Sequence, residues 1–520
     1  MNMKTCRLLI SASATLLLTL PLVGDVDAQS RHMTPASHAL GAGGTAYVDT
    51  YHANFVNPAN LLIRGGDRPR RTVGIYGGLH MTIGGSLANM NTYNRYLTTG
   101  QTIRGEVAQD MFDSWFGKGL NETRSLGFDL THTLFGASYR RENWAASIAA
   151  RNRVMMSGDM NRGMAELLFL GLDSSIFQTP RAVNMSFETL AFSELSFGFA
   201  RKMLEFNSNS NGREITLYAG VAPKLLIAQN SARFDLQSQL TISSADENSN
   251  SSIHHSFVYN LETTGELTSQ MEQYHFDRRV QNMDVDFDDY VDPPAEDAYS
   301  VKSLGIGFDL GTTLVMNLEG YDLPGASLFR GSRTLTVGFA ISDIGALDFG
   351  PSGGVFNGAG ELDWHGFSYD QEMIDEQFDG DESLYFESVI SDSIGDELYA
   401  NFTPVQGQGV VRNLPTTVNL GVHLKLGKWG VMMDFGKGFN SRGVNSRRAY
   451  LSMGTEYRLF NIIPLRVGMK RGGFASASYH AGTGLEFRNF EFTLSVSSVR
   501  NSSAYGSSGG FAFSGLVFHF

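Results

Sequence analysis

The chain has 520 residues, 42% of them hydrophobic and only 18% charged, with 58 Gly, 13 Pro and a formal charge of -13. So little charge and Pro argues against long disordered tails, and an acidic balance without a basic cluster excludes a nucleic-acid partner. The one cysteine, Cys6, lies in a predicted leader, which leaves the mature chain without disulfides, Cys-based zinc sites or a Cys nucleophile.

The N-terminus reads as a secretory signal over residues 1–28. Lys4 and Arg7 precede an apolar run from Leu8 to Leu20, and Val26-Asp27-Ala28 offers small residues for cleavage before Gln29. An uncleaved anchor is the alternative, against which the short apolar core speaks. No later stretch holds 18 consecutive apolar residues, so a secreted chain of this kind is periplasmic, extracellular or a barrel. Residues 29–71 come next. They contain His38-Ala39-Leu40-Gly41-Ala42-Gly43-Gly44-Thr45-Ala46-Tyr47-Val48-Asp49 and then Asn57-Pro58-Ala59-Asn60-Leu61.

From residue 72 the dominant signal has a period of two. Leu304, Ile306, Phe308 and Leu310 alternate with Gly305, Gly307 and Asp309. Leu335, Val337, Phe339 and Ile341 do so, as do Val418, Leu420, Val422 and Leu424, and Phe490, Phe492, Leu494 and Val496. Each such segment has one apolar face and one polar or small face. A soluble sandwich gives the same pattern, so connection lengths decide. About fourteen strands are expected, near 72, 124, 144, 190, 213, 298, 332, 414, 428, 447, 463, 478, 490 and 508. Alternate connections are tight; the others hold the long insertions near 87–124, 157–188, 229–297 and 350–414. Short turns on one side and long loops on the other predict an all-β, transmembrane antiparallel β-barrel over residues 72–520, with both termini on the short-turn side. Phe234 to Ile242 and Phe257 to Leu267 are either further strands or a loop hairpin.

Closure follows because lipid cannot bond free backbone groups. Apolar faces then point outward, and charged strand residues line the lumen. Those expected inside are Asp309, His423, Lys425, Asp434, Glu456, Arg458, Arg466, Lys470 and Glu486. Their mixed signs suit pairing across strands, with or without a substrate. The last strand, Gly510 to Phe520, resembles the terminal signal read by the barrel-insertion machinery, with Gly515, Phe518 and Phe520 in place and Phe513 departing from a preferred polar residue.

The segment quoted above, with its spaced Gly, Asp49 and Asn-Pro-Ala turn, resembles the N-terminal part of the FadL/PorV superfamily of outer-membrane proteins. The resemblance covers about 30 residues, and fourteen strands is also that superfamily's number. Asn60 stands where many members have Gly, which places the match nearer the PorV-like branch. The resemblance implies that residues 29–71 fold into the lumen as a hatch. Gly41, Gly43 and Gly44 would allow close approach to the wall, and Asn57, Pro58 and Ala59 would form its kink. The alternative is a linker lying against the barrel rim.

The remaining constellations are weak. Asp284, Asp286, Asp288, Asp289 and Asp292 could take Ca²⁺ through oxygen ligands. However, Asp289 and Ala295 replace the Gly and Glu of a calcium loop, so a solvated acidic loop is the plainer reading. A second acidic region, Glu372 to Glu382, reads the same way. His254-His255 lacks partners at ligand spacing. No Gly-x-Ser-x-Gly elbow occurs, and no catalytic set aligns. The expectation is therefore a non-enzymatic protein of a Gram-negative-type outer membrane, without cofactor. Its partners would be membrane lipid, the insertion machinery, and a hydrophobic small molecule or secreted protein cargo. Three functions stay open: a FadL-like uptake channel for small hydrophobic molecules, a PorV-like non-conducting accessory to secretion or surface attachment, and a structural or adhesive barrel. A continuous apolar cavity would favour the first; a lumen filled by the hatch and paired charges would favour the others.

Overall fold

The computed structural model describes residues 32–63, 69–171, 175–208, 213–243, 251–283, 285, 290, 303–319, 331–367, 371–378, 403–405, 409–440, 445, 447–472, 475–499 and 506–520. Residues 1–28, expected to be a leader, and the acidic residues Asp284, Asp286 and Asp288 lie outside them.

Among the described residues one sheet contains β1 (Arg71–Gly85), β2 (Thr123–Arg140), β3 (Trp144–Asn161), β4 (Arg181–Ala182), β5 (Met185–Ser208), β6 (Arg213–Ser243) and β7 (Ser251–Thr264). It continues through β8 (Ser303–Asn317), β9 (Arg333–Asp348), β10 (Gly353–Phe367), β11 (Thr403–Pro404), β12 (Val411–Asn413) and β13 (Thr417–Leu426). It ends with β14 (Trp429–Gly438), β15 (Ala449–Leu459), β16 (Ile463–Gly472), β17 (Ala475–Glu486), β18 (Phe490–Val499), β19 (Ser507–Phe513) and β20 (Leu516–His519).

Antiparallel pairing runs from β1 through β2, β3, β5, β6, β8 and β9. It goes on through β13, β14, β15, β16, β17 and β18, and β19 and β20 return it to β1. Since β19 and β20 are two lengths of one wall strand, the wall is a closed barrel of 14 strands. Closure leaves no free edge, as a lipid environment demands.

The faces sort as the alternation requires. On β8, Ile306 is 78% exposed, whereas Asp309 is fully buried inside. Leu420, Val431, Met453, Val467 and Leu494 likewise point outward. This apolar exterior makes the barrel a transmembrane one. In the last wall strand the rule would fail without a bulge. Phe511 and Phe513 face out, and a strict alternation would turn Phe518 and Phe520 inward. The break at Ser514–Gly515, with Gly515 at φ 63°, resets the register. Val517 and His519 are therefore the buried residues, and Phe520 is exposed.

Of the two readings open for Phe234 to Ile242 and Phe257 to Leu267, the described residues show strands: the connections near 229–297 and 350–414 contain sheet as well as loop. β6 runs unbroken to Ser243: its first half pairs with β8 and its second half, Arg233 to Ser243, pairs with β7. β7 pairs in turn with β10. These strands continue the wall beyond the ends of β8 and β9. The arm persists because it has its own core, in which Phe257, Tyr259 and Phe356 pack on Met271 and Tyr274 of a helix, Glu266–His275. Two other long connections carry helices, Gly105–Phe116 and Arg162–Leu170, joined through Phe112, Phe116 and Ala165.

Candidate functional site

The lumen is the site, and residues 32–63 occupy it. Nearly all of them are buried. The segment opens with a short helix, α1 (Pro35–Ala39). Pro35 stands at its first position, and Thr34 and Ser37 cap each other's backbone N–H groups. Gly41 then turns the chain with φ 90°. Two tight helical turns follow, Thr50–Phe55 and Pro58–Leu62, the second capped by the Asn57 side chain, which accepts from the Ala59 N–H at 3.2 Å.

The wall makes room for this segment with a belt of inward-facing glycines at one level. Gly74 and Gly136 are cross-strand partners, and a Cβ on either would overlap the Tyr51 ring. Gly220 pairs with Gly311, and the two sit against Pro58 and Asn57. Gly338 pairs with Gly421, and both meet Thr45. Gly454 pairs with Gly468, and both meet Leu40. Gly198 and Gly482 face Asn54 and Ala39. The contact is reciprocal at Gly41, whose missing Cβ leaves space for the Met469 and Met453 carbonyls, and at Gly43, which lies on Asp434, Met432 and Ser452.

Polar side chains satisfy the buried backbone. Asp434 accepts from the N–H groups of Gly44 (3.1 Å) and Thr45 (2.9 Å), and from the Thr45 hydroxyl. Asn57 donates to the Thr45 carbonyl and to the Thr313 hydroxyl, each at 2.9 Å. Asn60 donates to the Thr45 and Val48 carbonyls at 2.9 Å and accepts from Thr313 at 2.6 Å. Asn54 accepts from Ser147. These bonds tie the kink at Asn57, Pro58 and Ala59 to β8 and to the earlier part of the segment.

Two charge networks flank the segment. On the long-loop side, Arg151, Arg153, Glu194, Lys224, Asp309 and Asp343 are all buried. Arg151 meets Glu194 at 2.8 Å, Arg153 meets Asp343 at 2.8 Å, and Lys224 meets Asp309 at 2.8 Å and Asp343 at 2.6 Å. Three cations and three carboxylates from β3, β5, β6, β8 and β9 cancel, which is what burial of so much charge requires. Arg151 also lies 4.0 Å from the centre of the Phe55 ring, so the network touches the segment directly. On the short-turn side, Arg466 and Arg458 each contact Glu456 at 2.7 Å, Arg458 also meets Glu486 at 2.7 Å, and Arg466 contacts Glu486 as well. Tyr47 of the segment donates to Glu456 at 3.0 Å.

Beyond the first network the lumen turns apolar. Along β3 the inward residues are Arg151, Arg153, Met155; along β5, Glu194, Phe192, Leu190; along β6, Lys224, Leu226, Ala228. Met155, Leu190, Phe192, Leu226 and Leu347 cluster with Val410 and Leu414, which flank β12. Small residues, charges and apolar side chains are thus stacked in three layers on one side of the barrel. At the other end, the segment forms the floor of a vestibule of about 830 Å³, lined by Thr34, Asp49, His423, Lys425, Glu456 and Arg458 among others.

The lumen therefore collects Asp309, His423, Lys425, Asp434, Glu456, Arg458, Arg466 and Lys470, but not as one group. Lys470 lies apart, 4.6 Å from the Tyr450 ring. Asp49 borders the vestibule at the start of the Thr50–Phe55 turn and makes no side-chain cap there. Gly515 lies at the bulge of the last wall strand, and Phe518 and Phe520 on its lipid face. His254 meets Asp363 at 2.5 Å on the exposed arm. Among the described residues no group of three or more His, Cys, Asp or Glu is arranged to hold a metal. Sequence reasoning missed Arg151, Arg153, Glu194, Lys224 and Asp343. The available signal was an isolated charge on the small-residue face of an otherwise apolar strand, as in Val221-Ala222-Pro223-Lys224-Leu225.

Solved structures with a related outline include the Pseudomonas putida toluene transporter TodX (12% identity, 95% of this chain and 99% of that one, TM-score 0.39). The Ralstonia pickettii toluene transporter TbuX is similar over 94% of this chain and 98% of its own (13% identity, TM-score 0.40). A Pseudomonas aeruginosa FadL homologue matches at 12% identity over 95% and 99%, with TM-score 0.38. Likeness at this level bears on neither substrate nor mechanism. No curated protein matches the chain. One family profile matches residues 72–497, the wall from β1 to β18, and the chain belongs to that family, the family of unknown function DUF5723.

Proposed function

We propose that this protein is an outer-membrane uptake channel for small hydrophobic molecules, held shut in this structure by residues 32–63 acting as a hatch. The observation that carries the reading is the apolar layer inside the barrel. An inward face that meets only water has no use for Met155, Leu190, Phe192, Leu226 and Leu347 clustered above a charge network. Such a lining suits an apolar guest. An outer membrane suits a chain that crosses lipid with strands and sorts its connections by length. The FadL/PorV-like N-terminal segment agrees with a hatch.

A second reading, a PorV-like accessory that conducts nothing, is favoured by a different observation. The neutral network of Arg151, Arg153, Glu194, Lys224, Asp309 and Asp343 lies inside the lumen between the apolar layer and the segment. The test is uptake of a labelled long-chain fatty acid into liposomes carrying the refolded protein, with and without residues 29–62. Uptake above empty liposomes that increases on deletion supports the channel. No uptake by either form, with heat-modifiable barrels verified on a gel, overturns it in favour of the accessory.

A further inference from the structure

We propose that His38, wedged between His80 and His480, makes the seating of the N-terminal segment conditional on pH, so that protonation of this cluster releases the segment from the lumen. The proposal concerns the segment alone and stands whether or not a hydrophobic molecule passes.

The geometry is a three-imidazole junction between segment and wall. The His38 ring meets His80 of β1 edge-on at 5.3 Å between centroids and His480 of β17 at 4.9 Å. All three side chains are buried. Both His38 nitrogens are taken by wall hydroxyls of β18: Nδ1 lies 2.8 Å from Ser495 and Nε2 3.0 Å from Ser497. A hydroxyl serves either as donor or as acceptor, so neutral His38 is fully bonded here. The charged groups facing the cluster are Lys470 of β16 and Asp129 of β2. Asp129 can balance one added proton at His80. It cannot balance a second on His38, beside Lys470 and 4.9 Å from another imidazole. A second imidazole pair lies within the segment itself, where His32 and His52 stack at 5.2 Å, close to Arg151 and Arg153 of β3 and to His80.

Burial first, and then His80, His480 and Lys470, hold the His38 imidazole well below the usual histidine range. Burial and then Arg151 do the same for His32. A group whose pKa is lowered in the seat stabilises the seat above its unseated value of about 6.5, and that stability falls away as pH drops below it. Each such histidine shifts the seating equilibrium about tenfold toward release between pH 7.5 and 5.5. Protons have a route, because Thr34, Pro35 and Ala36, in the turn before His38, line the open vestibule.

The chain's one cysteine is Cys6, so in a Cys6→Ser background a single engineered cysteine reports on the segment. Ser37→Cys places one in α1 at a fully buried position, and Thr99→Cys places one on an exposed outer loop as the reference. Refolded full-length protein in liposomes is treated with a thiosulfonate reagent at pH 7.5 and 5.5. The Ser37→Cys rate divided by the Thr99→Cys rate should rise at least tenfold at the lower pH. Adding His38→Gln should reduce that rise about tenfold. If His38→Gln yields no heat-modifiable barrel, His480→Gln on the wall is used, and it should reduce the rise as well. A ratio that does not change with pH, or a rise unaffected by both substitutions, overturns the proposal.

Discussion

The two charge networks of the lumen have opposite construction. The one on the long-loop side draws on five wall strands, is sealed from water, and meets the N-terminal segment through the face of Phe55. The one on the short-turn side draws on three adjacent strands, borders the vestibule, and accepts a hydrogen bond from Tyr47. Each sums to zero charge. The first can therefore hold the wall in register, since any missing member leaves an uncompensated charge in a dry place. The second can lose a member and let water replace it.

The sharpest way to break this contrast is to remove one cation from each. Lys224→Met strips Asp309 and Asp343 of their shared partner and should cost about 3–5 kcal/mol of barrel stability in urea unfolding of the refolded protein. A loss below about 1 kcal/mol would mean that the sealed network is no more demanding than the wet one. A smaller effect is expected at the belt between them. Gly136→Val overpacks against Tyr51 and should cost about 1–3 kcal/mol. That cost should appear as faster labelling of Ser37→Cys, and Tyr51→Ala should reverse it. The smallest change belongs to Arg458→Met, about 1 kcal/mol or less, because that side chain is already 18% exposed beside open water.

The same contrast explains what could be read in the sequence. Glu456, Arg458, Arg466 and Glu486 sit on consecutive strands, with Arg466 only 10 residues from Glu456 and 20 from Glu486, so alternation alone put them inside together. Arg151 and Asp343 are 192 residues apart and meet only because the barrel closes over a lumen that two strands do not define. Wall strands and turn sides were legible because each strand carries its own period of two and each turn its own length. The arm was less so. β7 and β10 show alternation, but nothing local says that β6 exchanges its partner β8 for β7 partway along. The glycine belt was visible as composition, 58 glycines, without its purpose. A glycine on the polar face of a strand reads as a gap until the segment that fills it is in place.

Tyr51 lies where the ring of strands joins. Its neighbours include Gly74 on β1 and Val517 on β20, and β1 against β20 is the seam at which the first and last strands meet. The segment that carries Tyr51 leads directly into β1. The seam is therefore closed over a ring that belongs to the segment: with the segment seated, Tyr51 packs beneath the first and last strands, and when the segment leaves, the join between β1 and β20 loses that support.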